Sequence, residues 1–437
     1  MKKWIACFFL CAFLSPAHAL LNLQLTQGVE SRLPISVVAF QYEGTFPEPQ
    51  QLSTIIARDL QNSGQFLIRP GVEQPHAINQ VNLSYWRDLD VQDIVVGSIN
   101  RVGSDEYRVT FSLINTYKQS TANQVAPDAV LLSKVFTIKA AQMRSLGHVI
   151  SDQVYQALIG VPGVFSTRLA YVLVSPGSDL QHPRYHLMVS DYDGQQAQGL
   201  VNSNQPLMSP AWSPNGQQLA FVSFQNRRPA LFLADVRTGQ LTKLLPESAI
   251  NGAPAWSHDG KRLAFVNAKT GVAEIYVIDL ATRQISTITS GFSINTEPSF
   301  APDDRSIVFT SNRGGTPQIY QYYFATQKVE RLTYDGDYNA HPSISPDNKY
   351  LAYSHKDKGG DFDIAVKNLA NDVSTELTGA GEDESPSWAP NSRLIVYARH
   401  AQGQHTLAMV SRDGKIRVTL PASDGAVYEP AWGPGVH

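Results

Sequence analysis

Cysteine is almost absent from this 437-residue chain, and its only two, Cys7 and Cys11, lie within the first eleven residues. Charge is also scarce: charged residues make up 17% of the chain, and 35 basic against 38 acidic side chains give a net charge of −3. So balanced a charge argues against nucleic acid or an anionic membrane as the main partner. If the first residues are removed, the mature chain has neither disulfides nor thiol chemistry.

Long apolar runs are missing too, except for one at the start of the chain. Two lysines precede the apolar residues 4–14, and an A-x-A cleavage pattern ends at Ala19. This order predicts a secretory signal peptide over residues 1–19, because eleven apolar residues are too few to span a bilayer. We therefore expect a mature chain that begins at Leu20, is exported from the cytoplasm and is not inserted into a membrane.

The familiar sequence motifs of enzymes do not occur. The chain contains no G-x-S-x-G, P-loop, H-E-x-x-H or C-x-x-C pattern, so we predict no catalytic residues. The histidines of its second half are scattered without the spacing of metal ligands. A periplasmic hydrolase or lyase that acts on sugars or peptides stays open as an alternative, because a folded channel could gather scattered histidines.

What the sequence has instead is a repeat. Six times a proline is followed two residues later by an apolar side chain, and each of these prolines lies 44 residues after the previous one. The six pairs are Pro210/Trp212, Pro254/Trp256, Pro298/Phe300, Pro342/Ile344, Pro386/Trp388 and Pro430/Trp432. A fixed period of this size is typical of architectures in which each unit buries a face against its neighbours.

Each repeat predicts four short strands, which is one blade of a β-propeller. A tight-turn pair such as Asp259-Gly260 separates the first strand from the second. The second-strand motif occurs six times, first at Leu169 with no P-x-W strand before it, whereas the last P-x-W strand, at Pro430, has almost no chain after it. These half-blades complete each other, and an open solenoid would leave them unexplained. We predict a six-bladed β-propeller over residues 163–437, closed by the last strand.

Residues 33–162 lack the repeat and mix helical and strand periods, which predicts a small α/β domain. Helices are predicted over 52–60 and 143–158, and a linker over Gly160–Gly163. The predicted strands lie at 33–40, 66–68, 94–96, 107–114 and 130–138.

An arm over residues 20–32 precedes this domain. Leu21, Leu23 and Leu25 alternate with polar residues, as in an extended segment that can add to a sheet edge or lie in a groove. Two interpretations stay open: the arm is a merely structural strand, or it switches between a state docked on its own protein and a released state.

The loops that lead into the P-x-W strands are rich in carboxylates, namely Glu297, Asp335, Asp337, Glu382, Asp383, Glu384, Asp424 and Glu429. Equivalent loops of a propeller emerge on one face, so these acids form either a solvated rim or a docking face. Clustered carboxylates also suit Ca²⁺, for which Glu297, Asp383 and Glu429 are the candidate ligands. No other cofactor is expected.

Several segments beyond the common P-x-W motif resemble one known family. They are G-V-E-S at 28–31, T-R-L-A-Y-V at 167–172, V-S-D-Y-D-G at 189–194, N-G-A-P at 251–254, N-T-E-P at 295–298 and L-P-A at 420–422. Together with the order of signal peptide, small α/β domain and six-bladed propeller, they resemble the TolB family of periplasmic proteins in the bacterial Tol–Pal system. The resemblance covers nearly the whole mature chain.

The resemblance implies a monomeric periplasmic binding protein. TolB-like proteins bind the lipoprotein Pal through a propeller face and the inner-membrane protein TolA through the N-terminal arm. They support outer-membrane integrity and constriction at cell division, and some colicins exploit them. On this resemblance, the Pal-binding residues are Asn251, Ala253, Asn295, Thr296, Glu297, Asp383, Glu384, Tyr428 and Glu429, and the TolA-binding arm includes Leu20, Leu21, Leu23 and Leu25. Ile250 stands where the family often has His, so one partner contact is expected to differ.

Overall fold

The computed structural model describes residues 23–25, 32–43, 52–72, 79, 81–118, 125–177, 182–225, 227–245, 251–379, 381–421 and 424–435. The predicted signal peptide, Leu20, Leu21 and Ile250 lie outside the described residues. Among the helices of the described part, none is both long and apolar enough to cross a membrane.

The N-terminal part is a mixed sheet with helices on it. Its strands are β2 (Leu33–Val37), β3 (Gln41–Glu43), β4 (Phe66–Ile68), β5 (Asp93–Arg101), β6 (Glu106–Asn115) and β7 (Val130–Lys139), and its helices are α1 (Leu52–Asn62), α2 (Leu83–Asp88) and α3 (Met143–Ile159). The sheet order is β4-β2-β5-β6-β7, with β3 also paired to β5. The strands β2, β3, β4 and β5 run parallel, and β6 and β7 continue the sheet antiparallel.

The predicted elements of this domain are confirmed, and two short ones were not predicted. Leu52, Ile56 and Leu60 are buried on one face of α1, as their helical spacing requires. The helix α2 escaped sequence analysis because its six residues span too little chain for a period, although the Asn82 side chain caps it by accepting from the Tyr85 N–H. The three-residue strand β3 is equally short.

The second part is a six-bladed β-propeller, as predicted. Blade 1 contains β8 (Arg168–Ser175), β9 (Arg184–Asp191) and β10 (Gln198–Ser203), and blade 2 contains β11 (Leu207–Trp212), β12 (Gln218–Ser223), β13 (Ala230–Asp235) and β14 (Leu241–Leu245). Blade 3 contains β15 (Asn251–Trp256), β16 (Arg262–Asn267), β17 (Glu274–Asp279) and β18 (Ile285–Thr287). Blade 4 contains β19 (Asn295–Phe300), β20 (Ser306–Ser311), β21 (Gln318–Tyr323) and β22 (Val329–Arg331).

The remaining strands complete the ring. Blade 5 contains β23 (Tyr338–Ile344), β24 (Tyr350–Lys356), β25 (Asp363–Asn368) and β26 (Ser374–Glu376), and blade 6 contains β27 (Glu382–Trp388), β28 (Leu394–Ala401), β29 (Gln404–Ser411) and β30 (Ile416–Thr419). The last strand, β31 (Ala426–Trp432), pairs with β8 and becomes the inner strand of blade 1. The predicted closure is therefore confirmed.

The tryptophans of the repeat join neighbouring blades. The indole N–H of Trp256 donates to the Ala211 carbonyl of the preceding inner strand at 3.2 Å, and that of Trp388 donates to the Ser343 carbonyl at 2.9 Å. A buried indole needs such a partner. In blades 2, 3 and 6 the Trp of the motif therefore both packs its blade and bonds it to the preceding one, whereas Phe300 and Ile344 of blades 4 and 5 can only pack.

We call the face where the inner strands begin the upper face, and the face where they end the lower face. The α/β domain packs on the lower face, where the turn after β9 and the strand β30 meet α1 and α3. Leu60 and Tyr155 of the domain share one apolar cluster with Tyr192 and Ile416 of the propeller. Gly64 allows this close approach, since a Cβ there would lie 1.4 Å from Ile416 Cδ1.

The arm contributes one short described strand, β1 (Leu23–Leu25). It pairs antiparallel with β30, with Leu23 opposite Val418 and Leu25 opposite Ile416, and so adds a fifth strand to the outer edge of blade 6. The extended conformation expected for these residues is observed.

Candidate functional site

A ring of six residues marks the channel at the upper half of the propeller. Each precedes a repeat proline and has a positive φ: Ser209 (54°), Ala253 (40°), Glu297 (54°), His341 (50°), Ser385 (58°) and Glu429 (49°). In every inner strand the register with the second strand shifts at this point, which is the mark of a β-bulge. The repeat therefore sets a special backbone conformation as well as a side-chain pattern.

Two glutamates of this ring bond to the following blade. Glu297 accepts hydrogen bonds from the His341 N–H at 2.8 Å and the Thr310 hydroxyl at 2.7 Å, and its carboxylate lies 3.2 Å from His341 Nε2. Glu429 accepts from the Ser209 N–H at 2.5 Å. Burial raises the pKa of Glu429, and the negative charge of Glu297 adds to the rise. Glu297 and Glu429 belong to blades 4 and 1, which are opposite each other in a six-bladed ring.

Two of the residues assigned to Pal binding are buried. The amide of Asn295 donates to the Glu274 carboxylate at 2.8 Å, and the Asn295 oxygen accepts from Arg313 at 2.9 Å. Asp383 has no exposed surface and lies 3.5 Å from Arg399, and burial raises its pKa to about 6. Asn295 thus joins the inner strand of blade 4 to β17 of blade 3, whereas Asp383 pairs within its own blade, and neither side chain reaches the surface.

The other assigned residues reach the upper face to different extents. Ala253, Thr296 and Glu384 are partly exposed, and Tyr428 is exposed. The Asn251 side chain lies outside the described part, although its backbone starts β15. Acids expected in loops, such as Glu297 and Glu384, lie inside the inner strands, because these strands begin earlier than the P-x-W motif indicates.

The three candidate Ca²⁺ ligands do not come together. Asp383 is fixed inside blade 6 by Arg399, whereas Glu297 and Glu429 accept backbone N–H groups in the channel. Within the described residues, the groups of three ligating side chains that converge are His148/Asp191/Asp193 and His355/Asp357/Glu376. The expected calcium set is therefore not assembled.

The apolar side chains of the upper face were not predicted from the sequence. Phe292 is fully exposed, Tyr334 is 66% exposed and Ile294 is 51% exposed, all in loops that lead into inner strands. Tyr338 and Tyr428 are exposed on the same face. Large apolar side chains on a protein surface commonly mark interaction sites. The sequence did carry a signal, since Gly291-Phe292-Ser293-Ile294 places two apolar residues in a turn that would ordinarily be polar.

A second cluster of charged residues, on the lower face, joins the two parts of the protein. Arg144 of α3 bonds Asp191 at 2.7 Å and Asp193 at 2.7 Å, and His148 of the same helix bonds Asp59 at 2.8 Å. Although burial opposes it, hydrogen bonds to Asp191 and Asp59 raise the pKa of His148 to about 9. Burial raises the pKa of Asp59. We call these five residues the junction cluster.

Family models match the chain in two segments. One described as "TolB beta propeller domain" matches residues 155–436, and one described as "TolB amino-terminal domain" matches residues 21–122. Together these segments contain the candidate site on the upper face, the strand β1 and, from the junction cluster, Asp59, Asp191 and Asp193.

Curated relatives and a solved structure agree with these matches. A "Tol-Pal system protein TolB" from Coxiella burnetii is 54% identical, covering 97% of this chain and 96% of that protein, and one from Legionella pneumophila (strain Corby) is 55% identical, covering 99% of both. The crystal structure of TolB from Acinetobacter baumannii is 36% identical with a TM-score of 0.84, covering 95% of this chain and all of that one.

Proposed function

Since the chain belongs to the TolB family of Tol-Pal system proteins, we propose that it is a periplasmic scaffold that binds the lipoprotein Pal through the upper face and TolA through the arm. In this role it supports outer-membrane integrity and constriction at cell division, and colicins that exploit the system would use the same surfaces. Membership of this family sets aside the alternative of a periplasmic hydrolase or lyase, because the relatives are Tol-Pal system proteins and not enzymes.

The observation that carries the Pal assignment is the chemistry of the upper face. It offers exposed Phe292, Ile294 and Tyr334 beside the partly exposed carboxylates of Glu297 and Glu384. Aromatic anchors surrounded by polar groups are the usual composition of a protein interface. Asn295 and Asp383 act in this proposal by holding the inner strands. The Pal contacts are Asn251, Ala253, Thr296, Glu297, Glu384, Tyr428 and Glu429.

A titration of purified Pal against variants of the mature protein tests this assignment. Phe292→Ser, Thr296→Ile and Ala253→Trp are each expected to weaken binding by about 2 kcal/mol, the size of an interface hot spot. Ile285→Ser is the matched control, because Ile285 is half exposed on the outer strand β18, away from the upper face. Full Pal affinity in all three upper-face variants would disprove the assignment.

The arm is the proposed TolA site. The strand β1 extends blade 6 by pairing one edge of its backbone with β30, and TolA could pair with that same edge only after the arm leaves β30. Docked and released arms would then be alternative states, and Pal binding would shift their balance. Two-site coupling of this kind is typically about 1–3 kcal/mol and must be reciprocal.

Deletion of residues 20–27, titrated separately with TolA and with Pal, tests the arm. We expect loss of TolA binding together with a changed Pal affinity. Unchanged affinity for both partners would show that β1 is only a structural strand. Substitution of Ile285 again serves as a variant that should alter neither affinity.

A further inference from the structure

Three side chains at the upper end of blade 5 face one another across a short gap. His355 lies near the end of β24, Asp357 follows that strand, and Glu376 ends the outer strand β26. His355 Nε2 is 3.5 Å from an oxygen of Asp357 and 3.6 Å from an oxygen of Glu376, and the three ligating atoms lie within 4.8 Å of one another.

The imidazole of His355 is held in one orientation by Asn339. The Asn339 amide nitrogen donates to the Asp335 backbone carbonyl at 2.7 Å and to the Gln318 side chain at 2.8 Å. Because a carbonyl can only accept, this fixes the Asn339 oxygen as the atom 2.7 Å from His355 Nδ1. Nδ1 must therefore carry a proton, so that Nε2 is the ring nitrogen that faces the two carboxylates and is available to a metal ion. An amide or carboxylate oxygen on the other ring nitrogen is the usual support of a metal-binding histidine.

The distances suit an ion better than direct hydrogen bonds. Values of 3.5 and 3.6 Å are beyond the normal range of an N–H to oxygen hydrogen bond. Two ligands that are each about 2.1 Å from a tetrahedral ion lie about 3.4 Å apart. The gap between His355 and the two carboxylates therefore matches the edge of a tetrahedral site.

Burial and charge also favour a cation here. His355 is only 7% exposed, while Asp357 and Glu376 are open to solvent, so an ion could enter from the surface and keep a water ligand. The neighbouring Lys356 ammonium is engaged elsewhere, 3.9 Å from Glu382 and over the Phe362 ring. The other converging group, His148/Asp191/Asp193, already has the Arg144 guanidinium between its carboxylates.

We propose that His355, Asp357 and Glu376 bind one divalent transition-metal ion of the zinc class, with water in the fourth position. One imidazole nitrogen and two carboxylate oxygens form a donor set that suits Zn²⁺, whereas Ca²⁺ prefers six to eight oxygens. The ion links β24 to the outer strand β26 and adds positive charge beside the upper face. This inference does not depend on the identity of any protein partner.

The test is a calorimetric titration of Zn²⁺ into the mature protein, purified without an affinity tag and freed of metal by a chelator. We expect one site, and at least about tenfold weaker binding in Asp357→Asn, Glu376→Gln and His355→Gln. Zn²⁺ should also raise the melting temperature of the unmodified protein more than that of the variants. Asp357 and Glu376 are exposed, so their variants remain folded even if His355→Gln does not.

The double variant His400→Gln/His405→Gln is the matched control, because these two rings stack at 3.8 Å on blade 6 and offer Zn²⁺ imidazole ligands away from the proposed site. It should bind Zn²⁺ unchanged. The proposal would be overturned if the three cluster variants bound Zn²⁺ as tightly as the unmodified protein. It would also be overturned if the control lost the site, or if the unmodified protein did not bind Zn²⁺. Ca²⁺ titrated in place of Zn²⁺ should give no comparable heat, and a tighter site for Ca²⁺ would also overturn it.

Discussion

The two faces of the propeller use charged and apolar side chains in opposite ways. On the lower face the junction cluster is buried with its charges paired, and apolar residues such as Tyr192 and Ile416 are packed against the α/β domain. On the upper face Phe292 and Tyr334 are exposed, and carboxylates such as Glu384 are partly open to solvent. The same repeated blades thus form a packed intramolecular interface on the lower face and present exposed apolar side chains on the upper face.

This difference separates residues that stabilise the protein from residues that are free to recognise another molecule. Paired, buried charges are costly to disturb, whereas substitutions of exposed side chains change stability little. Variants of the lower face should therefore affect folding, and variants of the upper face should affect binding.

The largest effect is expected from Arg144→Met. It leaves Asp191 and Asp193 beside each other without the guanidinium that pairs them, and removal of one partner from a buried ion pair costs about 3–5 kcal/mol. Urea unfolding of the variant and the unmodified protein measures the loss. The exposed Arg237→Met is the control and should change the free energy of unfolding by less than about 0.5 kcal/mol. Similar losses in both variants would contradict the contrast between the faces.

A smaller effect is expected from alkaline pH. The pKa of His148 is raised to about 9, above its ordinary value of about 6.5, so the folded protein favours the protonated ring. Its contribution is complete below about pH 6.5 and is lost as the pH rises through about 9, a change of about 2–3 kcal/mol between pH 7 and 10. Burial also raises the pKa of Asp59, so the contribution of its protonated form is lost as the pH rises from the ordinary value of about 3.9.

Unfolding free energies at pH 7 and pH 10, measured for the unmodified protein and for His148→Gln, isolate this contribution from other groups. The variant should lose less stability between the two pH values. An equal loss in both proteins would show that His148 does not hold its proton through Asp59 and Asp191. Asp191 has the opposite pH dependence. Although burial opposes it, His148 and Arg144 lower the pKa of Asp191, so its contribution to the free energy of unfolding is lost as the pH falls below the ordinary range of a carboxyl group.

The smallest effect is expected in the channel ring. Ala253 has a φ of 40°, a conformation that glycine adopts without strain. Ala253→Gly should therefore raise the free energy of unfolding by about 0.5–1 kcal/mol. Ala255→Gly, two residues along the same strand β15, is the control and should lower it. Destabilisation by both variants would show that the bulge is not strained.

Features that follow from periodicity could be predicted from the sequence. The 44-residue spacing gave the six blades, and the half-blades at Leu169 and Pro430 gave the closure, because packing of each blade repeats the same pattern of side chains. The helices α1 and α3 followed from their apolar spacing. The short elements α2 and β3 did not, since neither is long enough for a period to show.

Features that depend on contacts between distant residues could not be predicted. Asp59, Arg144 and Asp191 meet only because the turn after β9 packs against two helices. Asn295 and Asp383 were assigned to a binding surface from motif resemblance, but both side chains are buried inside the propeller, where Asn295 bonds Glu274 of the preceding blade and Asp383 pairs with Arg399. His355 and Glu376 likewise come together only through the pairing of β24, β25 and β26.

The pairing of β31 with β8 also sets a condition on how the protein can mature. Blade 1 takes three strands from residues 168–203 and its inner strand from residues 426–432. Because a chain is delivered from its N-terminal end, the first blade to emerge is the last to be completed. Until then β8 presents an unpaired edge that can capture another strand. Closure of the ring therefore depends on the last strand: a chain that stops before Ala426 leaves the edge of β8 unpaired, and only a chain that includes β31 can cover it.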